Sequence, residues 1–231
     1  MRRRPATSTL LTFASAWSRI QALAVQRGWI SAHTPLPQLP ATGGIKSKSR
    51  PAFTAEEIQR LREFMCEWVV YTGKQRSVEM RLLLRDYVEL LILTGIRHGT
   101  EAMRIRWRHC DWHWDREQRY LRIWVSGKTG ERWLIAKNEA VTVLERLCVR
   151  DPLCAGRTLD EVFAARVDKL LFTFTDGTQP YHFNAAFSRF LQNAGIERDG
   201  TGAKRTLYSL RHTYATLELL AGTDIHTLAM A

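Results

Sequence analysis

The hydrophobic pattern of this 231-residue chain changes its period between residues 110 and 136, and that change limits the folds open to it. Elsewhere, apolar residues recur at the three-to-four-residue spacing of amphipathic helices. Within this segment they fall in three short runs rich in aromatic and β-branched residues: Cys110–Trp114, Tyr120–Ser126 and Arg132–Ala136. Turn residues at 115–117 and 127–130 separate the runs. This order predicts a small three-stranded antiparallel sheet inserted into a helical domain.

Helical patterns lie on both sides of the sheet. Thr54 and Glu57 form a capping box that predicts the start of the first helix of the main domain. Further helices are predicted over the segments 77–93, 99–107, 138–149, 184–194 and 207–220. The predicted fold class is therefore mainly α with a small three-stranded antiparallel β-sheet, an α+β domain.

The first 50 residues differ from the rest in charge. They carry eight arginines and lysines and no acidic residue, whereas residues 51–231 carry 26 basic and 23 acidic residues. A helix capped by Thr12 and stopped by Gly28 is predicted in residues 1–34. Three prolines and two glycines make residues 35–50 typical of an extended basic linker. We therefore predict a helical segment 1–34, a linker 35–50 and a main domain 51–231.

The net charge of +11 and the isoelectric point near 10.0 favour a polyanionic partner. The same balance also suits ribosomal or membrane-surface proteins, or an ordinary domain with a solvated basic tail. No apolar run approaches the roughly 18 residues that a membrane span requires. The basic start and the Ala-x-Ala sequence at 14–16 faintly resemble a signal peptide, but Thr12 and Ser15 interrupt its apolar stretch.

The cysteines are irregularly spaced, at Cys66, Cys110, Cys148 and Cys154. Such spacing predicts reduced thiols in a cytoplasmic protein rather than a disulfide framework. His109, Cys110 and His113 stand close enough in sequence to raise a zinc site, but no second cluster of ligands accompanies them. The sequence therefore predicts neither a metal nor a cofactor.

Two positions outside the last helix carry side chains suited to a phosphate. Arg97 follows the helix break at Gly95, and Glu101 is near enough to orient its guanidinium, although a simple surface pair of the two residues is an open alternative. Lys128 occupies the turn between the last two predicted strands. Its flexible stem suits contact with DNA or proton donation, but lysines in such turns are commonly solvated.

A third candidate lies on the helix predicted over 207–220. Tyr208 and Arg211 are three residues apart, so they share a face of that helix, and His212 comes next. A guanidinium beside a hydroxyl can grip one phosphate through several donors. The alternative is an ordinary amphipathic helix with its apolar face in the core.

The combined motifs Thr94-Gly95-Ile96-Arg97, Gly127-Lys128 and Tyr208-x-x-Arg211-His212-Thr213 resemble, in order and spacing, the catalytic domain of the tyrosine recombinase (phage integrase) family. The likeness spans about residues 48–231, and the preceding helix and linker resemble the end of the family's core-binding domain. The resemblance implies site-specific DNA recombination and integration by a mobile element through a phosphotyrosine intermediate. It implies double-stranded DNA as partner and no metal or nucleotide cofactor.

The resemblance also implies roles for single residues. Arg97 and Arg211 correspond to the two arginines that hold the scissile phosphate, and Lys128 to the lysine that protonates the leaving 5′ oxygen. Tyr208 stands where most members have a histidine, which implies a hydrogen bond to the phosphate. His212 corresponds to a neighbouring histidine that contributes to the phosphate site and is more often structural than catalytic.

Two features depart from the family pattern. Glu101 follows Arg97 by four positions, whereas the family's acidic residue commonly follows by three. No tyrosine of this sequence stands at the nucleophile's place in the motif order, so we expect a chain truncated at both ends that lacks the nucleophile.

Whether the chain is an enzyme stays open on sequence alone. One hypothesis is part of a recombinase, and the other is a catalytically inactive DNA-binding remnant of a mobile-element integrase. An accidental match and a type IB topoisomerase are weaker alternatives. Intact members form tetramers on DNA, and we expect this chain to be monomeric.

Overall fold

The computed structural model describes residues 4–40, 42–45, 51–70, 73–127 and 130–224. The chain divides into two compact units, residues 1–49 and residues 50–231. No helix among the described residues is both long enough and apolar enough to cross a bilayer.

The first unit contains one long helix, α1 (Thr7–Gln26). The predicted cap at Thr12 is wrong, because the N-cap is Ala6, six residues earlier, and the Thr12 hydroxyl donates to the Ser8 carbonyl inside the helix. The predicted stop is correct: Gly28 has a φ of 71°. Side chains of Trp17 and Gln21 both donate to the Pro37 carbonyl at 2.8 Å, which fastens part of the proline-rich segment to the helix.

The second unit combines six helices with a three-stranded sheet among its described residues. Its elements are α2 (Ala55–Val69), α3 (Gln75–Thr94), β1 (Cys110–Asp115), β2 (Gln118–Gly127), β3 (Gly130–Ile135), α4 (Ala140–Arg150), α5 (Leu159–Ala164), α6 (Asn184–Asn193) and α7 (Leu207–Leu220). Helix α3 packs against α2, α4, α6 and α7 and forms the centre of the domain.

The sheet has the predicted antiparallel order β1-β2-β3. Alternation along β2 buries Leu121, Ile123 and Val125 on one face. Partners on the neighbouring strands complete this buried face, since Ile123 pairs with Cys110 on β1 and with Leu134 on β3. The predicted fold class, mainly α with one small antiparallel sheet, is confirmed.

Two further parts of the secondary structure differ from the prediction. The segment 99–107 is no α-helix but a loop followed by 3₁₀ turns at 102–104 and 107–109. Backbone bonds explain the difference, because Trp107 N donates to the Lys169 carbonyl and Leu171 N donates to the Ile105 carbonyl at 2.9–3.0 Å. Pairing with residues 167–171 replaces the helical bonds. Helix α5 was not predicted, although Thr158 and Glu161 form a capping box before it.

The cysteines occupy different environments. Cys66 is exposed on α2, and Cys110, Cys148 and Cys154 are buried free thiols. Burial raises the pKa of Cys154 to about 12 and also raises the pKa of Cys148 and Cys110. The described residues contain no cluster of three metal-binding side chains. At the suggested zinc position, His109 Nδ1 accepts a hydrogen bond from the Arg106 backbone.

Candidate functional site

Arg97 lies just beyond the end of α3 and binds Glu101 directly. Gly95 ends the helix in the left-handed conformation, with φ of 64°. The Arg97 guanidinium then donates to Glu101 Oε1 at 2.6 Å, and the Arg97 backbone N–H donates to Oε2 at 3.3 Å. The Glu101 side chain is 1% exposed, whereas that of Arg97 is 30% exposed. The buried Glu101 carboxylate therefore holds the Arg97 guanidinium on its protein side and leaves part of the Arg97 side chain accessible to solvent.

The extra residue between Arg97 and Glu101 is absorbed in a tight loop. Gly99 has a φ of 95°, and its N–H donates to the Tyr87 hydroxyl at 3.1 Å. The same hydroxyl lies 2.8 Å from His98 Nδ1. Burial raises the pKa of Tyr87, so the hydroxyl stays neutral. A fully buried side chain of α3 thus fixes the loop, and Glu101 reaches Arg97 despite the longer spacing.

A second arginine, Arg132 on β3, binds the same carboxylate. Its guanidinium lies 3.3 Å from Glu101 Oε2, and its side chain is 18% exposed. Burial raises the pKa of Glu101, but hydrogen bonds from Arg97 and Arg132 outweigh burial and hold the pKa below its ordinary value. The motif comparison missed Arg132. The strand pattern contains a signal for it, because Arg132 pairs with the buried Val125 and so places a charge on the inward face.

The hairpin that carries Lys128 meets this cluster at its base. Lys128 itself lies outside the described residues. The flanking residues Gly127 and Gly130 pair with each other at the end of the β2–β3 ladder. Gly127 also lies against Glu101, because a Cβ atom built on it would be 2.2 Å from Glu101 Oε1.

Arg211 on α7 belongs to the same cluster, since the charges of Arg97, Arg132 and Glu101 all act on it. Its guanidinium donates to the Gly95 carbonyl at the end of α3. Burial lowers the pKa of Arg211, and the neighbouring charges of Arg97 and Arg132 lower it further. These are three guanidinium groups near one carboxylate, Glu101, and no carboxylate among the described residues forms an ion pair with Arg211. Excess positive charge at a partly buried place favours an anion.

Tyr208 and His212 lie beside Arg211 on α7. Both are partly exposed, and their rings are 5.1 Å apart at an interplanar angle of 65°. Thr213, the next residue, is buried and accepts the Phe53 backbone N–H at 2.8 Å. The start of the second unit therefore holds the buried face of α7, and this contact directs the opposite face outward.

Arg205 just before α7 shows what a structural arginine looks like in this domain. It is 4% exposed, and its guanidinium binds the two Glu57 oxygens at 2.5 and 2.7 Å. It also donates to the Ile196 and Arg198 carbonyls. Arg205 is thus paired with a carboxylate, whereas Arg211 forms no ion pair within the described part of the chain.

The sequence of the second unit matches a family model. The model is described as "Phage integrase family", and it covers residues 51–231. The chain belongs to the phage integrase family. No curated protein sequence matches it.

Solved integrase structures share the fold. A Tn1549 transposon integrase in complex with circular intermediate DNA has 14% identity and a TM-score of 0.60, over 97% of this chain and 70% of that one. The XerH site-specific recombinase bound to difH substrate has 17% identity and a TM-score of 0.57, over 97% and 62%. A lambda integrase tetramer bound to a Holliday junction has 17% identity and a TM-score of 0.57, over 97% and 57%.

The coverage of these phage-integrase relatives is incomplete. The chain spans 49% of another XerH chain, seen in a post-cleavage complex, and 62% of the XerH chain above. At identities of 14–19% the likeness establishes the fold of this integrase-family chain.

Proposed function

We propose that residues 51–231 bind double-stranded DNA and hold a phosphodiester for site-specific recombination. The observation that carries this proposal is the cluster of Arg97, Arg132 and Arg211 around Glu101. Among the described residues, three guanidinium groups lie near one carboxylate, which suits a phosphate that gains negative charge in a pentacoordinate transition state. Membership of the phage integrase family supports the same reaction class.

Within this site, Arg97 and Arg211 clamp the non-bridging oxygens of the phosphate. Glu101 fixes the Arg97 fork, so that less side-chain freedom is lost when the phosphate binds. Tyr208 donates a hydrogen bond to the phosphate, and His212 supports the Tyr208 ring. Lys128 protonates the leaving 5′ oxygen. No step assigned to these residues requires a metal ion or a nucleotide cofactor.

The covalent step of this chemistry needs a tyrosine nucleophile. Tyr214 follows Tyr208 on α7, but its ring packs over Gly95, and burial raises its pKa. This packing supports a structural role for Tyr214. We therefore propose that the 231 residues bind DNA without cleaving it, as an inactive remnant would, and that cleavage appears when a nucleophile-bearing segment is supplied with this domain. We also propose that the chain is a monomer on its own. Light scattering, which measures molar mass in solution, tests this.

A DNA-binding titration tests the phosphate clamp. Arg97→Gln and Arg211→Gln are each expected to weaken binding to a duplex about tenfold and to flatten the salt dependence by about one phosphate contact. Arg189→Gln, on the exposed surface of α6, is the matched control and should bind as the wild type. Equal affinities for all four proteins at low salt would refute the proposal.

A suicide DNA substrate tests the covalent step. Such a substrate traps a phosphotyrosine adduct, which is visible as a shifted band under denaturing conditions. The 231-residue chain should give no adduct, and a version extended by a recombinase C-terminal segment should give one. An adduct formed by the unextended chain would show that one of its own tyrosines is the nucleophile.

A further inference from the structure

The contact between Gly127 and Glu101 joins the hairpin to the first arginine. Glu101 Oε1 lies 2.2 Å from the place where a Cβ atom on Gly127 would stand, with Glu101 Cδ and Cγ at 2.7 Å. Real Cβ atoms do not approach other atoms so closely. Only glycine at 127 therefore leaves room for the carboxylate in its present position.

The backbone of Gly127 does not itself demand glycine. Gly127 lies in strand β2, its φ is outside the left-handed region, and it forms a regular pair with Gly130. An alanine can adopt this extended conformation without strain. The lack of a side chain at position 127 therefore serves the contact with the carboxylate rather than the backbone conformation of Gly127.

The carboxylate has little freedom to move aside. Glu101 is buried, Oε1 accepts from Arg97 at 2.6 Å, and Oε2 lies 3.3 Å from Arg132. A methyl group at 127 would push Oε1 away from the Arg97 guanidinium. The methyl group would therefore act on Arg97 through Glu101.

We infer that Gly127 is a positioning residue, which seats Glu101 between the hairpin and Arg97 so that the guanidinium is set for a DNA phosphate. This inference rests on the proposed function. The same contact sets the distance between the base of the Lys128 hairpin and Arg97. Arg132 takes part because it holds the second carboxylate oxygen from β3.

A double-mutant cycle tests the inference with the full 231-residue chain and a duplex oligonucleotide. Gly127→Ala is expected to weaken binding about tenfold and to lower the slope of log affinity against log salt by about 0.9, as Arg97→Gln does. The double variant should bind no more weakly than Arg97→Gln alone, because both changes remove the same contact, that of Arg97 with the DNA phosphate. Gly200→Ala is the control, since its Cβ would meet nothing within 4 Å.

The outcomes separate the inference from the proposed function. If Arg97→Gln weakens DNA binding but Gly127→Ala binds as the wild type, the inference is overturned and the proposed function stands. Additive losses would also overturn it, since they indicate a general effect on structure. Unchanged binding by Arg97→Gln would overturn the proposed function and the inference with it.

Thermal unfolding of each variant controls for loss of fold. If Gly127→Ala unfolds at a lower temperature than Gly200→Ala, Glu101→Gln replaces Gly127→Ala in the cycle. Glu101→Gln alters only a side chain and adds no atom next to the strand backbone. Glu101→Gln should then weaken binding without adding to Arg97→Gln. Additivity in this second cycle would overturn the inference.

Discussion

At the scale of single residues, the site depends on one buried carboxylate. Glu101 accepts from the Arg97 side chain and backbone, binds Arg132, and touches the backbone at Gly127. Removing one partner from such a buried network usually costs more than the net worth of the contact, because the charges left behind lose their solvation. Arg97 therefore owes its orientation to a residue that no substrate atom needs to touch.

The charge of Glu101 should make part of the stability depend on pH. Its folded pKa lies below the ordinary value of 4.5, so its contribution is fully present above pH 4.5 and is lost as the pH falls through the lowered folded value. Glu101→Gln removes this contribution. We expect the difference in unfolding free energy between wild type and variant to shrink as the pH is lowered from 6 towards 3.

Urea unfolding at several pH values measures this difference. Glu131→Gln, which changes an exposed carboxylate on β3, is the control and should show no comparable loss. A difference that stays constant down to pH 3 would contradict an ionised Glu101 bound by arginines.

Sequence patterns located most of these residues but not their arrangement. Arg97, Tyr208, Arg211 and His212 were predicted from motifs, and Glu101 from its nearness to Arg97. Arg132 was missed because an arginine in a strand usually points to solvent, and its inward position appears only with the register. The loop bond from Gly99 to Tyr87 was equally hidden, since it joins residues on separate elements.

At the scale of elements, the C-terminal end of α3 is held against the middle of α7. The Arg211 guanidinium binds the Gly95 carbonyl, and the Tyr214 ring lies where a Cβ on Gly95 would be, at 2.2 Å. Glycine is required at position 95 for two reasons: its φ of 64° is left-handed, and a Cβ atom would collide with the Tyr214 ring. The helix break therefore fixes the separation of Arg97 from Arg211.

Gly95→Ala should consequently destabilise the domain. The left-handed conformation and the displaced ring together are expected to cost about 2–4 kcal/mol of unfolding free energy. Gly222→Ala is the matched control, because Gly222 has a φ of 89° and nothing within 4 Å of its Cβ position. Chemical denaturation of both variants separates the two effects, and equal losses would show that the ring contact contributes nothing.

Element prediction succeeded where local pattern and tertiary environment agree. The three strands and the helices around them follow their hydrophobic periods closely. The segment 99–107 failed because its backbone pairs with residues 167–171, a partner that no local pattern contains. Helix α5 was missed because it is only six residues long, too short for a period to show.

At the scale of the whole molecule, the excess of basic residues and the integrase fold belong to different parts of the sequence. The second unit has the fold of the phage integrase family, and its charge is nearly balanced, since residues 51–231 carry 26 basic and 23 acidic residues. Residues 1–50 hold eight basic and no acidic residues. We propose that the first segment supplies non-specific attraction to DNA and that the second supplies the phosphate site. The division into a core-binding remnant, a linker and a catalytic domain stays a prediction.

A fragment of residues 51–231 tests this division. It should bind a duplex more weakly than the full chain and with a shallower salt dependence, because fewer counterions are released. Arg97→Gln should weaken the fragment and the full chain by the same factor. Identical salt slopes for fragment and full chain would contradict a role for the first 50 residues in DNA binding.

The different exposure of the four cysteines allows the protein to be labelled at a single site for spectroscopy. Cys66 is exposed, and the other three cysteines are buried with raised pKa values, so they resist alkylation at neutral pH. A maleimide dye should therefore attach at one place on α2 without any engineering of the chain. Paired with a dye on a DNA end, that label would turn the binding of each variant into a distance that energy transfer can follow.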